Sequence, residues 1–544
     1  MCLMICIFTT RLRCFVTLLF LFILTITYPQ KVLWEKTYGG LHADYLFDMQ
    51  PTPDYGFILA GSSVSDVGAS KSDKKVGVMD YWLWKMSETG KLEWQRSFGG
   101  DGTDKLNSIV VTADGGILLG GTSNSTKSFA KTEDAFGGYD FWVVRLDPFG
   151  AILWQKTYGG LSEDSVSKII QTSDGGFLIG GTSSSNKLFD PATQDIKPNA
   201  KSENTNGNLD FWLLKIDASG VLEWQKTLGG KYADILKTVA QTPDGDYVVA
   251  GSSNSPISGD KTHKGFGLFD YWVLKLTQEG EILWQQTFGG EADDQLQDLV
   301  ITKDSGILLA GNSNSPASDS KEKSNKNNST DIWVLQLDKN GEQQWQNTYN
   351  LNQYTLLTNS VKSDKNSFVL GGYTQKNNID KKEKGTVNSD YFVIKIDSLG
   401  ETKWKKEIGS SGRDVLSKIV ETRDGGYVLA GTSNGKVTKD KQSANQGLED
   451  FWIVKLLDED KDKKAKRLIE AYPNPTNDVT NVLVGFDFDE GTATMVDIVG
   501  RQLQHFKIYS RTVPLSLKGL PIGIYLITIK TNKGSETVKI LKGN

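Results

Sequence analysis

Cysteine is nearly absent from this 544-residue chain: Cys2, Cys6 and Cys14, the only three, all fall within the first 14 residues. Everything downstream folds without a disulfide framework and offers no thiol nucleophile. Histidine is equally scarce, and His42, His263 and His505 are too few and too scattered for a zinc cluster or a Ser-His-Asp arrangement. An excess of basic charge is also missing. Sixty-one Lys and Arg against 66 Asp and Glu leave a net charge of −5, which excludes the cationic footprint that binding to nucleic acid requires. No helical period of useful length occurs, and past the amino-terminal leader no segment is apolar enough to span a bilayer. "DEDKD" at 458–462 alternates like a calcium loop but lacks the turn glycine, so it reads as part of a charged linker over 458–470 and no metal is expected. Acids are abundant enough that paired carboxylates identify no catalytic site.

The leader places Arg11 and Arg13 before an apolar run of 13 residues from Cys14 to Ile26, followed by the polar "YPQK". A span needs about 20 apolar residues, so the pattern predicts a secretory signal peptide over 1–29 and a mature chain without cysteine or membrane segment.

What the sequence does have is tryptophan at fixed spacing. "WQKTYGG" and its near-copies place Trp34, Trp94, Trp154, Trp224, Trp284, Trp345 and Trp404 about 60 residues apart. A second set follows an acid: Asp80, Asp140, Asp210, Asp270, Asp331, Asp390 and Asp450, each leading an aromatic or apolar pair such as Phe141-Trp142. Seven units are therefore present. Within a unit, "SVSKIIQTS", "FLIGGTS", "DFWLLKID" and "VLEWQKTLGG" alternate or run apolar and are joined through "DGG" and "ASG" turns, apart from one long polar loop. Gly and Asp tolerate the positive φ of such turns, so each unit is predicted to be a four-stranded antiparallel meander. An all-β fold follows: a seven-bladed β-propeller over 30–457, because radial packing protects most sheet edges. The first unit opens with an orphan strand at 32–40 and the last stops after 450–457, so the two halves are expected to complete one blade and close the ring. One tryptophan per unit at fixed register is expected in the inter-blade core.

The "KIDASGVLEWQ" segment, with Lys215, Ile216, Asp217, Gly220 and Trp224, resembles the tryptophan-docking repeat of quinoprotein-type propellers. "TSDGGFLIGGTSSS" is similar to β-propeller repeats of secreted bacterial proteins. Both resemblances concern the scaffold, and no cofactor is implied.

Two features could carry binding. The corner acids Asp44, Asp104, Asp164, Asp234, Asp294 and Asp414, with Tyr354 breaking the set, would ring one channel mouth and suit a cation or polar glycan. Asp also caps turns through neighbouring amides, and its repetition favours that role. The second feature is the end carrying the long loops, for example 182–209 and 312–330, rich in Ser, Lys, Asn and Gly.

After residue 470 the composition changes. Tyr472, Pro473, Asn474 and Pro475, then "VDIVGRQL" with Asp497 and Gly500, then "GIYLITI" with Gly523 and Tyr525, closing on Lys539-Ile540, resemble the C-terminal sorting domain of the type IX secretion system. The short alternating strands suggest a small Ig-like β-sandwich over 471–544. The resemblance implies recognition by the type IX machinery and a secreted or surface-attached destination. The expected function is non-enzymatic binding or adhesion by a monomer, with glycan or protein on the long-loop face. The alternative is a polysaccharide hydrolase or lyase with carboxylates at the channel.

Overall fold

A computed structural model of the chain describes residues 30–543, apart from 113, 319, 324–328, 352–353, 364–366, 376–387, 423–424, 459–468, 477 and 487. The expected signal peptide and most of the charged linker lie outside the described residues. Among the described residues there is no helix, and none long and apolar enough to cross a membrane.

The repeats fold as the alternation requires. In one unit Asp164–Gln171, Phe177–Ser183, Asp210–Ile216 and Leu222–Leu228 lie in that order in one antiparallel sheet. Six such sheets follow one another along the chain, and each third strand is buried or nearly so along its length. The seventh is assembled from both ends: Asp414–Glu421, Tyr427–Ser433 and Asp450–Leu457 are completed by Lys31–Tyr38, with Tyr38 opposite Phe451 and Trp34 opposite Lys455.

Neighbouring sheets pack face to face through a repeated aromatic contact. Tyr81 meets Trp142 at 4.7 Å between ring centroids, Phe141 meets Trp212 at 4.7 Å, Phe211 meets Trp272 at 5.0 Å, Tyr271 meets Trp333 at 5.0 Å and Tyr391 meets Trp452 at 4.8 Å. The same contact joins the last sheet to the first, with Phe451 at 4.9 Å from Trp82. Each indole N–H is satisfied within its own sheet by the glutamine of "WQ": Trp142 donates to Gln155 at 3.0 Å and Trp212 to Gln225 at 3.1 Å. In the seventh sheet Glu35 of the first strand of the chain takes this place, accepting from Trp452 at 2.7 Å.

The "WQKTYGG" tryptophans behave differently, being only half-buried. Trp154 lies over Gly220 of the next unit, whose φ of 84° only glycine adopts freely, and its indole donates to the Ala218 carbonyl at 3.2 Å. At the same end of the third strands, a cation in each of the first four sheets pairs with the acid of the turn between the first and second strands, as Lys85 does with Asp54 at 3.0 Å and Arg145 with Asp114 at 2.7 Å.

Beyond the linker, a three-stranded sheet of Ile469–Tyr472, Val479–Val484 and Thr512–Ser516 shares one core with a four-stranded sheet in the order Gln502–Ile508, Gly491–Asp497, Gly523–Thr531 and Gly534–Lys542. It touches the "DGG" end of the repeats, where Asn481 donates to the Asp114 carbonyl at 2.8 Å and Thr512 to Asp54 at 3.2 Å.

The two tryptophan sets should therefore differ in energetic weight. Trp272→Ala is expected to cost about 3–5 kcal/mol by equilibrium denaturation, and Trp284→Ala about half of that, because only the first ring is fully enclosed.

Candidate functional site

The corner acids are built into the fold rather than displayed on it. Asp44 Oδ2 accepts from the Gly40 amide at 2.6 Å and the Ser65 hydroxyl at 3.1 Å, and the same pair of bonds recurs at Asp104, Asp164, Asp234 and Asp294. At Asp414 both donors come from Ser410, its amide at 2.6 Å and its hydroxyl at 2.7 Å. All six carboxylates are buried. In the sixth unit the equivalent residue is Thr355 and not Tyr354, a correction to the alignment. Thr355 is fully buried and accepts from the Leu351 amide at 3.3 Å, whereas Tyr354 is 37% exposed.

The Gly-Gly pair exists to admit these groups. A Cβ on Gly159 would lie 1.7 Å from Asp140 Oδ1, and one on Gly160 would lie 2.4 Å from the Ser185 Cβ. Where the sixth unit has Asn350 instead, its amide donates to Asp331 and occupies the space with a matched partner.

Electrostatically, each junction sets the acid before a third strand near the corner acid of the next unit. Burial pushes Asp140 up to about 7, against the amides of Phe136 and Gly137 and the charge of Lys131, while Asp164 adds to the rise. Burial likewise raises Asp164 to about 6, opposed by Ser183, Ser185, the Gly160 amide and Lys201. Oδ1 of both acids is enclosed without a hydrogen-bond partner. Lys131 and Lys201, buried in the long loops, are lowered by desolvation, Lys201 to about 8.

The first strands converge on a second constellation, and this one breaks the sevenfold pattern. After the bulge in each first strand the residues are Asp48, Ser108, Lys168, Thr238, Asp298, Asn359 and Lys418. Side chains from sheets that are not neighbours meet here. Asp48 lies 3.5 Å from the Lys418 ammonium and 3.9 Å from that of Lys168. It also accepts from the Ile109 amide at 3.0 Å. Burial alone would raise Asp48, but Lys418, Lys168 and the Ile109 and Met49 amides outweigh it and hold the carboxyl below its ordinary value. Asp298 accepts from Asn359 at 2.8 Å and Ser360 N at 2.8 Å, and its charge also acts on both lysines. Burial and the adjacent Lys418 lower Lys168. Burial also opposes the charge on Lys418, but Asp48 and Asp298 raise it overall. None of these four charged residues stands out in the repeat alignment except by its irregularity at a position where the flanking residues repeat.

Among the described residues no three His, Cys, Asp or Glu side chains form a metal-ligating group. The motif residues of the C-terminal region mostly shape turns and joins. Asn474, flanked by Pro473 and Pro475, donates to the Lys539 carbonyl at 2.7 Å and accepts from the Leu541 amide at 2.8 Å, binding the segment to the last strand. Asp497 accepts from the Arg501 amide at 2.9 Å across a turn in which Gly500 has φ 83°. Tyr525 donates to the Pro521 carbonyl at 2.6 Å, two residues ahead of Gly523, while Tyr472 is 40% exposed.

Residues 470–543 match the family described as secretion system C-terminal sorting domain. Such a domain indicates type IX export, to the medium or the cell surface, and implies contact with the secretion machinery. Among curated proteins the chain is 24% identical over 203 residues to the regulatory protein FlaEY of Caulobacter vibrioides, covering 36% of this chain and about a fifth of the relative's length, 21%. Among solved structures, BBS1N in complex with ARL6DN has a TM-score of 0.38 at 9% identity, covering 80% of this chain and 98% of the other. Cobalt-substituted Synechocystis ACO has 0.36 at 12% identity, covering 74% and 88%.

Two outcomes follow for the buried charges. Asp48→Ala strands two ammonium groups and should cost about 3–5 kcal/mol, while adding Lys418→Met should recover much of the loss, as read from denaturant midpoints of the single and double variants. For Asp140 the folded value lies near 7, above the unfolded value of 3.8, so the folded chain holds a proton the unfolded chain has released. Its contribution is full below the unfolded value and is lost as pH rises toward 7, so Asp140→Asn should flatten the fall in stability between about pH 4 and 7.

Proposed function

We propose that this protein is an exported, non-enzymatic binding scaffold: a seven-bladed propeller, closed by the amino-terminal strand, that presents its long-loop end to a glycan or protein ligand. The ring is supported by the Phe451–Trp82 contact, which repeats between the last and first sheets what joins the others, and by Asp48 of the first sheet meeting both Lys418 of the last and Lys168 of the third. Export is supported by the sorting domain at 470–543.

The observation that carries the binding role is Phe129. It is 70% exposed in a long loop and has a left-handed backbone, φ 49°. A bulky residue there is costly and uncommon. The same turn elsewhere holds Ala69, Asn199, Gly259 and Lys439. Two further aromatics at this end are uncovered, Phe189 at 41% and Tyr232 at 44%, each with a lysine ammonium over its ring at 5.2 and 5.4 Å. Exposed aromatics with cationic neighbours suit stacking on a sugar or anchoring a protein. The hydrolase reading finds less support, because Asp48, an acid of the channel constellation, is committed to lysines and held in its charged form.

Phe129→Asn is expected to raise stability by up to about 1 kcal/mol by relieving the backbone, and to weaken ligand capture by about tenfold on a glycan array or in pull-down of surface proteins. Unchanged capture would remove Phe129 from the binding face. A chain ending at residue 457 is expected to accumulate in the periplasm.

A further inference from the structure

The C-terminal region is seated on the first two sheets by buried polar groups. Arg511 donates to the Asp54 carbonyl and lies 3.9 Å from Glu93, and Asn481 donates to the Asp114 carbonyl at 2.8 Å. Asn481 is also the cross-strand partner of Tyr472, so its bond fixes where Tyr472 stands. That place is at the ends of the first strands. A cleft of about 350 Å³ opens there, walled by Tyr472 from the C-terminal region and by Gln50, Thr112, Gln171 and Glu421 from the first-strand ends of the first, second, third and seventh sheets. Its volume falls within the range of small-molecule sites, about 300–1,000 Å³.

The polar walls are departures from the repeat. Six of the seven first strands carry Val, Ile or Ala at the penultimate position, and the first carries Gln50. At the final position Gln171 and Glu421 stand where the second and fifth sheets have Val111 and Ile301. Gln241 shares that position outside the cleft and is taken up by the fold, accepting from the Ser173 amide at 2.8 Å and donating to the Gly245 carbonyl at 2.9 Å. Within the cleft, neither the Gln50 amide nor the Tyr472 hydroxyl hydrogen-bonds to a described residue, and the Tyr472 ring is exposed. Among the described lining residues none is basic, so nothing there recruits an anion. What the walls offer is an aromatic face, amides that both donate and accept, and one carboxylate that accepts.

We propose that this cleft binds a short neutral oligosaccharide, with the C–H face of one sugar ring packed on Tyr472 and its hydroxyls bonded to Gln50, Gln171 and Glu421. A sugar hydroxyl donates and accepts at once, which suits a wall of amides and a carboxylate better than it suits water-free apolar packing. The site lies at the "DGG" end of the repeats and is separate from the long-loop face. Because each part of the chain supplies one wall, the bound sugar also strengthens the seat of the C-terminal region.

The test is calorimetry on the full chain with maltotriose, cellotriose and mannotriose, of which at least one is expected to bind with a Kd on the order of 1 mM or tighter. Tyr472→Ala and Gln50→Val should each weaken that binding by about tenfold. Gln50→Val restores the residue type of the other first strands, so its denaturation midpoint should be unchanged or higher, and a loss of binding there is not a loss of fold. Phe129→Asn should leave the binding intact. A trisaccharide of galacturonic acid should bind at least tenfold more weakly than the neutral sugar, because Glu421 repels it. Absence of binding by all three neutral sugars, binding that survives both Tyr472→Ala and Gln50→Val, or equal binding of the uronate would overturn the proposal. Binding lost in Phe129→Asn but kept in the two cleft variants would also overturn it, and would leave the sugar to the long-loop end.

Discussion

The contact between an aromatic of one sheet and the tryptophan of the next is the constraint on which the other repeated features depend. A fully enclosed large ring removes about 150–250 Å² from water, so this contact sets how closely neighbouring sheets approach. At that spacing there is no room for a side chain at one position of the second strand. A Cβ on Gly121 would lie 2.3 Å from the Tyr81 hydroxyl, and one on Gly181 would lie 2.5 Å from the Phe141 ring. The indole brings a buried N–H that must be satisfied, which fixes glutamine after the outer tryptophan. In the seventh sheet only Glu35 can supply that acceptor, and it arrives from the other end of the chain.

Close packing also explains the buried ions. Where the first and third strands begin, sheets cannot part to let water reach the chain ends, so the exposed amides of the Gly-Gly corner are met by carboxylates and the carboxylates by long-loop lysines. Desolvating an ion costs several kcal/mol, and a single attraction at 3.5 Å returns about 5 kcal/mol at an effective dielectric near 20. Such arrangements roughly break even. They contribute little net stability, but they make each corner geometry the only one in which no charge is stranded, which is how polar groups confer specificity.

This physics determines what the sequence revealed. The number of units, the four strands of each and the seventh sheet's missing piece were all legible, because period-two alternation and glycine turns are local signals. The corner acids were legible as a set, and their capping geometry follows from the Asp-to-amide spacing of four residues. The long-loop lysines were not. Lys71, Lys131 and Lys201 lie in segments of solvated composition, yet each is buried, because its partners Asp44, Asp104 and Asp164 are 27 to 37 residues away in the chain. The alignment slipped by one residue at Tyr354 for a related reason: with Asn350 and Leu351 replacing Gly-Gly, the visible landmark was gone while the hydrogen bond from the Leu351 amide to the Thr355 hydroxyl kept the register.

Asymmetry is where scaffold and function separate. Seven copies of a strand must satisfy the same neighbours, so identical residues at equivalent positions report packing. Asp48, Ser108, Lys168, Thr238, Asp298, Asn359 and Lys418 share one position and little chemistry, and their partners differ: Asp48 reaches Lys168 two sheets away, while Asp298 meets Asn359 of the adjacent sheet. A charge balanced within the chain closes the account of its own position, as the Asp48 group does. A strained aromatic left in water, as at Phe129, has no such internal account. On the reading proposed above, a bound ligand supplies it.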